Sequence, residues 1–251
     1  MFESKGRHVF AGLAVAMAIT GCTPDERSAG ARLEEGPPAQ YEQSISVITG
    51  YDINVRAGTY TREGYILPRW IGPSTKGNTD WIGLYKVGTP DDAPLSLQYV
   101  GKGTRALANQ IRIPASLSTA DRYEVRYLRR NIHEVAARSS AFSIKATPTL
   151  ACASAYFANS ELVPSAHYVS LGQTSGKVTF SFNHYGGIKD RVVVWSDDAI
   201  VYDSGCTATS ATVTLNYTNP NSRLLVTAYP TCDVVDNDAW SDLDWSMSCP
   251  Q

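Results

Sequence analysis

From residue 44 onward, apolar and polar residues alternate in short runs that are separated by Gly, Pro, Asn and Asp. No stretch carries the 3.6-residue apolar period of an amphipathic helix. The run 123–127, for example, places three apolar side chains on one face of a strand and Glu124 and Arg126 on the other. The pattern predicts an all-β protein.

The candidate strands divide into two series at Thr147-Pro148-Thr149. Seven or eight short strands in about 100 residues are typical of an immunoglobulin-like sandwich, and a second series of similar length follows. We therefore predict two tandem β-sandwiches, immunoglobulin-like or jelly-roll-like, over 43–147 and 148–251. The candidate strands are 44–49, 53–57, 65–71, 81–87, 96–100, 110–113, 122–129 and 134–145, and then 168–171, 177–184, 191–196, 199–203, 211–217, 223–229 and 240–248.

Residues 1–21 combine basic residues with a small apolar run that is too short to cross a bilayer core of about 30 Å. The run ends in Ile19-Thr20-Gly21-Cys22, which resembles the lipoprotein box of bacteria. The resemblance implies cleavage before Cys22 and acylation of that cysteine, which gives a lasting anchor. Because Thr23 follows instead of Asp, it also implies the outer membrane. The alternative is an ordinary secretory signal with an unrelated cysteine.

Composition and charge narrow the class of partner. The chain has 22 Lys+Arg and 24 Asp+Glu, a net charge of −2, so nothing general attracts it to nucleic acid. A hydrophobic content of 43% indicates a folded protein. Residues 22–42 are polar with a Gly-Pro-Pro break and predict a flexible tether. We expect a folded part held near a membrane, with a protein or glycan surface component as its ligand.

The cysteines after Cys22 all lie in the second half, at Cys152, Cys206, Cys232 and Cys249. An oxidising envelope favours their pairing as disulfides, and four cysteines allow three connectivities that sequence alone does not separate. We favour Cys152–Cys249, because the ends of a sandwich domain often lie side by side, together with Cys206–Cys232. A structural zinc site is disfavoured because no C-x₂₋₄-C spacing occurs.

Three segments of the first half resemble the SKICH-type immunoglobulin-like domain. They are Asp80-Trp81-Ile82-Gly83-Leu84-Tyr85-Lys86-Val87-Gly88, Tyr123-Glu124-Val125-Arg126-Tyr127-Leu128 and Ala137-Arg138-Ser139-Ser140-Ala141-Phe142. The first also resembles a shorter D-W-I-G in the N-terminal sandwich of purple acid phosphatases. The resemblance implies a recognition or membrane-associating module without catalytic residues. From the residues themselves, Trp81, Leu84 or Tyr85, and Val87 are expected to pack in a core.

The second half resembles a β-sandwich module of secreted bacterial proteins that ends in W-x-[FYW]-x-[VM]-x-C-P. The matching segments are Gly176–Phe182, Ile188–Arg191, Val192–Trp195, Asp203–Gly205 and Trp245–Pro250. This resemblance implies a scaffold and no particular reaction.

Motifs of hydrolytic enzymes are missing from the sequence, which contains no H-E-x-x-H, no G-x-S-x-G and no Gly-rich phosphate loop. After removal of residues 1–21 the histidines are His133, His167 and His184. His184 ends a strand on the face that carries Phe180 and Phe182, so we expect it to be packed. We expect no enzyme activity, although a triad assembled in space leaves no local motif.

The densest polar segment is 232–244. Asp236, Asn237 and Asp238 could supply oxygen ligands for Ca²⁺, joined by Asp190 from another turn. The spacing is not that of an EF-hand, and Asp and Asn are also ordinary loop residues. Calcium is therefore one hypothesis for this segment, and an unoccupied polar loop is the other.

Two further groups are candidates for ligand binding. Arg126, Arg129 and Arg130 lie in or near the late strands of the first half, where they form either a solvated face or a site for anionic lipid or glycan. Trp240 adjoins the acidic loop and is the best candidate for stacking on a sugar ring.

Three functions follow from these observations. The leading one is a lipid-anchored, non-enzymatic envelope protein that binds a protein or surface component. The second is a calcium-dependent carbohydrate-binding protein, and the third is an accessory subunit of an envelope hydrolase.

Overall fold

The computed structural model describes residues 45–56, 58–74, 79–100, 105–107, 110–130, 134–161, 163–185, 187–230, 232 and 241–251. All of them belong to one compact unit, Pro37–Gln251. They form 21 strands and no helix, so the protein is all-β, as the alternating pattern predicts. Within these ranges no helix is long and apolar enough to cross a membrane. The predicted signal peptide, the predicted tether and Cys22 lie outside the described residues.

The N-terminal half builds a seven-stranded sheet that faces two smaller sheets. The large sheet runs β1-β11-β10-β12-β3, with β6 on β10 and β7 on β6, and the small ones are β2-β5-β8 and β4-β9. The core between them contains Ile53, Trp70, Leu84, Val125 and Tyr127. The strands are β1 Ile45–Ser46, β2 Asp52–Asn54, β3 Thr59–Thr61, β4 Tyr65–Ile66, β5 Arg69–Ile71, β6 Trp81–Lys86, β7 Ser96–Tyr99, β8 Arg105–Leu107, β9 Ile111–Arg112, β10 Arg122–Arg129, β11 Glu134–Arg138 and β12 Phe142–Lys145.

The C-terminal half is a sandwich of a five-stranded sheet, β13-β15-β20-β17-β18, and a four-stranded sheet, β14-β21-β16-β19. Both sheets supply residues to one core, among them Val194 and Val226 from the first and Phe180 and Trp245 from the second. The strands are β13 Thr149–Ala151, β14 Ala155–Glu161, β15 Ser165–Ser170, β16 Ser175–His184, β17 Arg191–Ser196, β18 Ala199–Asp203, β19 Ala211–Thr218, β20 Arg223–Tyr229 and β21 Ser241–Met247.

Some strands differ from those that the sequence predicts. The structure adds β3, β8, β13 and β14, which carry no clear apolar alternation of their own. The single strand expected over 134–145 is two strands, β11 and β12, which both pair with β10 and are separated by the irregular residues 139–141. Val87, expected in the core, is 42% exposed because it follows the last residue of β6.

The two halves meet on the outer face of the five-stranded sheet. Val193, Thr227 and Tyr229 point away from the sandwich core, yet each is only 1% exposed. Tyr65 of the N-terminal half packs against the Tyr229 ring, with centroids 5.2 Å apart. Strands β17 and β20 are therefore buried on both faces. The domain division at 147/148 stays a prediction, but within the described residues the halves share a buried contact.

The structure corrects the expectation for Arg126. This side chain is fully buried and not part of a solvated face. Its Nε donates to Glu124 at 2.7 Å, its Nη1 to Asp91 at 2.6 Å, and its guanidinium lies 4.0 Å from the Tyr85 ring centroid. The segment around Asp91 covers the face that alternation assigns to solvent. Arg126 therefore holds the sheet to that segment and does not face a ligand.

Candidate functional site

A groove of about 550 Å³ lies where the two halves meet, and its volume is within the range of about 300–1,000 Å³ that is usual for small-molecule sites. We call it the interface groove. The N-terminal half contributes Gln98 from β7 and Gln110 from the residue before β9. The C-terminal half contributes Arg191, Asp203, Gly205, Cys206 and Cys232.

A planar ion pair forms one wall of the groove. Arg191 Nε donates to Asp203 Oδ1 at 2.9 Å and its Nη2 to Oδ2 at 2.6 Å, which is the bidentate geometry that fixes both groups. The hydrogen bond from Arg191 lowers the pKa of Asp203, and the same bond raises the pKa of Arg191. Both groups therefore stay charged near neutral pH and present a fixed pattern of donors and acceptors.

The turn after β18 is held rigidly against that wall. Asp203 Oδ1 also accepts the Gly205 N–H at 2.9 Å, and Gly205 has a φ of 64°, which favours glycine over other residues. The disulfide Cys206–Cys232 follows directly. The Cys232 N–H donates to the Lys189 carbonyl at 2.9 Å. These bonds pre-form this side of the groove, which reduces the ordering cost of binding.

The N-terminal half adds two glutamines to the lining of the groove. Neither the Gln98 nor the Gln110 carboxamide has a partner among the described residues. Each carboxamide can donate two hydrogen bonds and accept others through its carbonyl oxygen. Two such carboxamides in one groove with a fixed guanidinium and carboxylate can bind a ligand rich in hydroxyl or amide groups.

No protein-family model and no curated protein matches the chain. Several solved structures overlap the chain in part, and three of them are as follows. The pre-peptidase C-terminal domain of a Bacillus anthracis collagenase is 6% identical with a TM-score of 0.33, over 41% of this chain and 94% of that one. The secreted serine protease VesC from Vibrio cholerae is 11% identical with a TM-score of 0.34, over 78% and 50%.

The third is the M60 catalytic domain with the two CBM51 domains of Clostridium perfringens ZmpB, 8% identical with a TM-score of 0.28, over 82% of this chain and 32% of that one. The chain thus spans half of the VesC structure and about a third of the ZmpB structure. With TM-scores this low, the overlaps do not support any inference about function.

The disulfides are Cys152–Cys249 and Cys206–Cys232, the pairing that the sequence analysis favours. The first joins the turn after β13 to the chain just beyond β21, and so closes the sandwich end to end. The second lies at the groove. One disulfide is therefore purely architectural, whereas the other also shapes the candidate site.

Asp190, expected as a calcium ligand, is fully buried and lies 3.0 Å from His184 Nδ1. The His184 side chain is 1% exposed and packs edge-on against Phe182, as expected for a packed histidine. Asp236, Asn237, Asp238 and Trp240 lie outside the described residues. In the part of the chain that the structure describes, no three His, Cys, Asp or Glu side chains are grouped to hold a metal.

The remaining two arginines of the predicted basic group differ in environment. The Arg129 side chain is 24% exposed and lies 5.1 Å from the Tyr51 ring centroid, whereas that of Arg130 is 75% exposed. Each has an Nη1 atom 3.7 Å from Glu134 Oε2. With Arg126 buried, only Arg130 is broadly available to a ligand, and its charge is partly offset by Glu134.

Sequence reasoning missed the groove residues Gln98, Gln110, Arg191 and Asp203. They come from three regions of the chain, and no local motif joins them. One signal was available: Val192–Trp195 and Leu224–Tyr229 are apolar on nearly every residue. Such runs are typical of strands buried on both faces. They would have predicted that another part of the chain packs on the outer face of β17, with a contact between the two halves there.

Proposed function

We propose that this protein is a lipid-anchored component of a bacterial envelope that binds a surface component, without chemical conversion, through the interface groove. The observation that supports the proposal is that Gln98 and Gln110, whose carboxamides have no partner among the described residues, line the same groove as the fixed Arg191–Asp203 pair. Pre-formed polar groups at the junction of two packed halves are typical of ligand sites.

A carbohydrate is the second, more specific candidate for the ligand. Sugar hydroxyls come in neighbouring pairs that planar amide, guanidinium and carboxylate groups can bind together. Cys232 of the groove directly precedes in sequence the segment that carries Asp236, Asn237, Asp238 and Trp240. An aromatic ring for stacking and oxygen ligands for Ca²⁺ are therefore close along the chain.

The envelope location is supported by two features. The Ile19-Thr20-Gly21-Cys22 segment resembles a lipoprotein box. The two disulfides are of the kind that persists in oxidising compartments. A binding protein on a lipid tether could act alone or as the accessory subunit of an envelope hydrolase.

The binding test uses the full chain, purified in detergent micelles with its disulfides intact. It measures binding to outer-membrane fragments, to peptidoglycan sacculi and to a glycan array. The double variant Gln98→Ala/Gln110→Ala should weaken binding by about tenfold or more, because two hydrogen bonds are lost. Gln173→Ala, a change at an exposed glutamine outside the groove, is the matched control and should bind as the wild type does.

Binding that is unchanged in the double variant, or lost equally in the control, contradicts the role of the groove. Glycan-array binding that also falls in Trp240→Ala supports the carbohydrate candidate. Binding to membrane protein with no glycan signal favours the broader proposal instead. If chelator leaves both the binding and the melting temperature unchanged, calcium has no part in it.

The anchor is tested separately. Mass spectrometry of the mature N-terminal peptide should find acyl chains on Cys22, and Cys22→Ser should release the protein from the membrane fraction. An unacylated cysteine would contradict the anchor and leave the groove test unaffected.

A further inference from the structure

A second, smaller cavity of about 170 Å³ lies at the contact between the halves and shares no lining residue with the interface groove. We call it the Arg223 pocket. Its charged and phenolic lining consists of Glu63, Arg112, Tyr168, Asp197, Asp198 and Arg223. Both halves of the chain thus contribute acidic and basic side chains to the lining of one pocket.

Each carboxylate of this pocket already has a donor from the protein. The Tyr168 hydroxyl donates to Glu63, and Arg112 Nη1 lies 3.2 Å from Asp198 Oδ1. Asp197 Oδ1 accepts from the side-chain amides of Asn219 at 3.2 Å and of its neighbour Asn221 at 3.1 Å. Each carboxylate is therefore hydrogen-bonded within the pocket, Asp198 by a cation and Glu63 and Asp197 by neutral donors.

Arg223, unlike Arg112 of the same pocket, has no partner of opposite charge among the described residues. Its guanidinium lies 3.7 Å from the centroid of the Tyr168 ring, so the two planes contact closely. Among the described residues it has no carboxylate partner, although three carboxylates line the same pocket. The stacking holds the charge in place while leaving the N–H donors at its edge without a carboxylate to bind.

The Tyr168 ring, on which the Arg223 guanidinium stacks, is itself fixed in position. Burial, reinforced by the hydrogen bond to Glu63, raises the pKa of Tyr168 to about 12. The phenol therefore stays protonated near neutral pH, and its hydroxyl keeps donating to Glu63. A ring fixed at both its face and its hydroxyl can hold the Arg223 fork in one orientation.

The backbone around the pocket is also fixed in uncommon conformations. Glu63 and Asp197 have φ angles of 61° and 50°, and Ser222, next to Arg223, has 52°. A non-glycine residue keeps such a conformation only where its surroundings determine it. Two such residues in the lining and a third beside Arg223 indicate that the shape of the pocket is set by packing.

We propose that the Arg223 pocket binds a small carboxylic acid, whose carboxylate is held by the guanidinium of Arg223. A guanidinium fork matches the two oxygens of a carboxylate. The volume of the pocket is smaller than the range of about 300–1,000 Å³ that is usual for drug-sized ligands. It therefore suits a single sugar acid or amino acid. This site is independent of whatever ligand the interface groove takes.

The test titrates the full chain, in detergent micelles, with glucuronate as the sugar acid, alanine as the amino acid and glucose as the neutral control. Calorimetry should show binding of at least one acid and none of glucose. Arg223→Gln should weaken that binding by about tenfold or more, because charged hydrogen bonds are lost. Arg223→Lys should also weaken it, since an ammonium lacks the fork.

Arg130→Gln, which removes an exposed arginine outside the pocket, is the matched control and should bind as the wild type does. Preference for glucuronate or for alanine identifies the source of the carboxylate, and either supports the proposal. It is overturned if neither acid binds, if glucose binds as tightly as the acids, or if Arg223→Gln binds like the wild type. Should Arg223→Gln fail to fold, Arg223→Lys and the comparison of acids with glucose decide.

Discussion

Tyr65 and Trp195 stack across the contact between the two halves, with ring centroids 6.4 Å apart and planes inclined by 25°. The same tyrosine touches Tyr229, which is 1% exposed. A side chain in this position links β4 of one half to β17 and β20 of the other. The contact therefore couples the stability of the two halves.

We expect Tyr65→Ala to lower the free energy of unfolding by about 3 kcal/mol, because it removes an aromatic side chain from a packed contact. In the wild type, calorimetry should show one cooperative transition for both halves, and the variant should separate it into two. Tyr185→Ala, at a residue 50% exposed, should cost about 0.5 kcal/mol or less. Two well-separated transitions in the wild type would contradict the coupling.

Arg126→Ala should destabilise the protein by about 3 kcal/mol, because it removes a fully buried guanidinium that donates to Glu124 and Asp91 and leaves these carboxylates with Arg138 as their cation. Chemical denaturation measures the change. Arg130→Ala is the control, since its side chain is 75% exposed and surface pairs contribute about 0–1 kcal/mol. A loss at Arg126 no larger than that at Arg130 would show that the buried network adds nothing.

The alternating pattern was sufficient for the fold class and for the core face of the long strands, and the disulfide pairing that the sequence analysis favoured is the one that forms. Tyr123, Val125 and Tyr127 do share one core, as alternation predicts. Alternation assigns a residue to a face, however, and says nothing about what covers that face. Arg126 was misassigned for this reason, because the segment that covers it lies about 35 residues earlier in the chain.

The candidate sites are harder to predict for a related reason. Both depend on how two halves pack, and that packing brings Gln98 to Arg191 and Glu63 to Tyr168. The two residues of each pair are far apart in the sequence, so no local sequence motif contains both of them. The nearly unbroken apolar runs of β17 and β20 do indicate a second covered face, but they do not identify the residues that meet it.

Removing the Cys152–Cys249 disulfide should cost more than removing Cys206–Cys232. The two bridges close sequence separations of 97 and 26 residues, which correspond to about 4.7 and about 3.5 kcal/mol in the chain-entropy description. Paired Cys→Ser variants compared by urea unfolding test the order. The Cys206–Cys232 variant should in addition lose groove-dependent binding, since that bridge forms part of the groove; full retention of binding would argue against a pre-formed site.

His167 predicts a specific dependence of stability on pH. It is 6% exposed, with its ring 4.1 Å from that of Tyr156 between centroids, and burial, aided by the charge of Lys145, lowers its pKa to about 4. In the unfolded chain the same group titrates near 6.5. Between these values the unfolded state binds the extra proton, so the free energy of unfolding falls as the pH falls.

This loss should be absent above about pH 7, grow from about pH 6.5 downward and reach about 3 kcal/mol near pH 4. His167→Gln has no such titration, so its free energy of unfolding should fall less steeply over the same range, whatever its value at pH 7.5. Urea unfolding of both proteins at pH 7.5, 6.0, 5.0 and 4.0 measures the difference, and carboxylates common to both cancel. Parallel curves would mean that the folded protein protonates His167 as readily as the unfolded chain does.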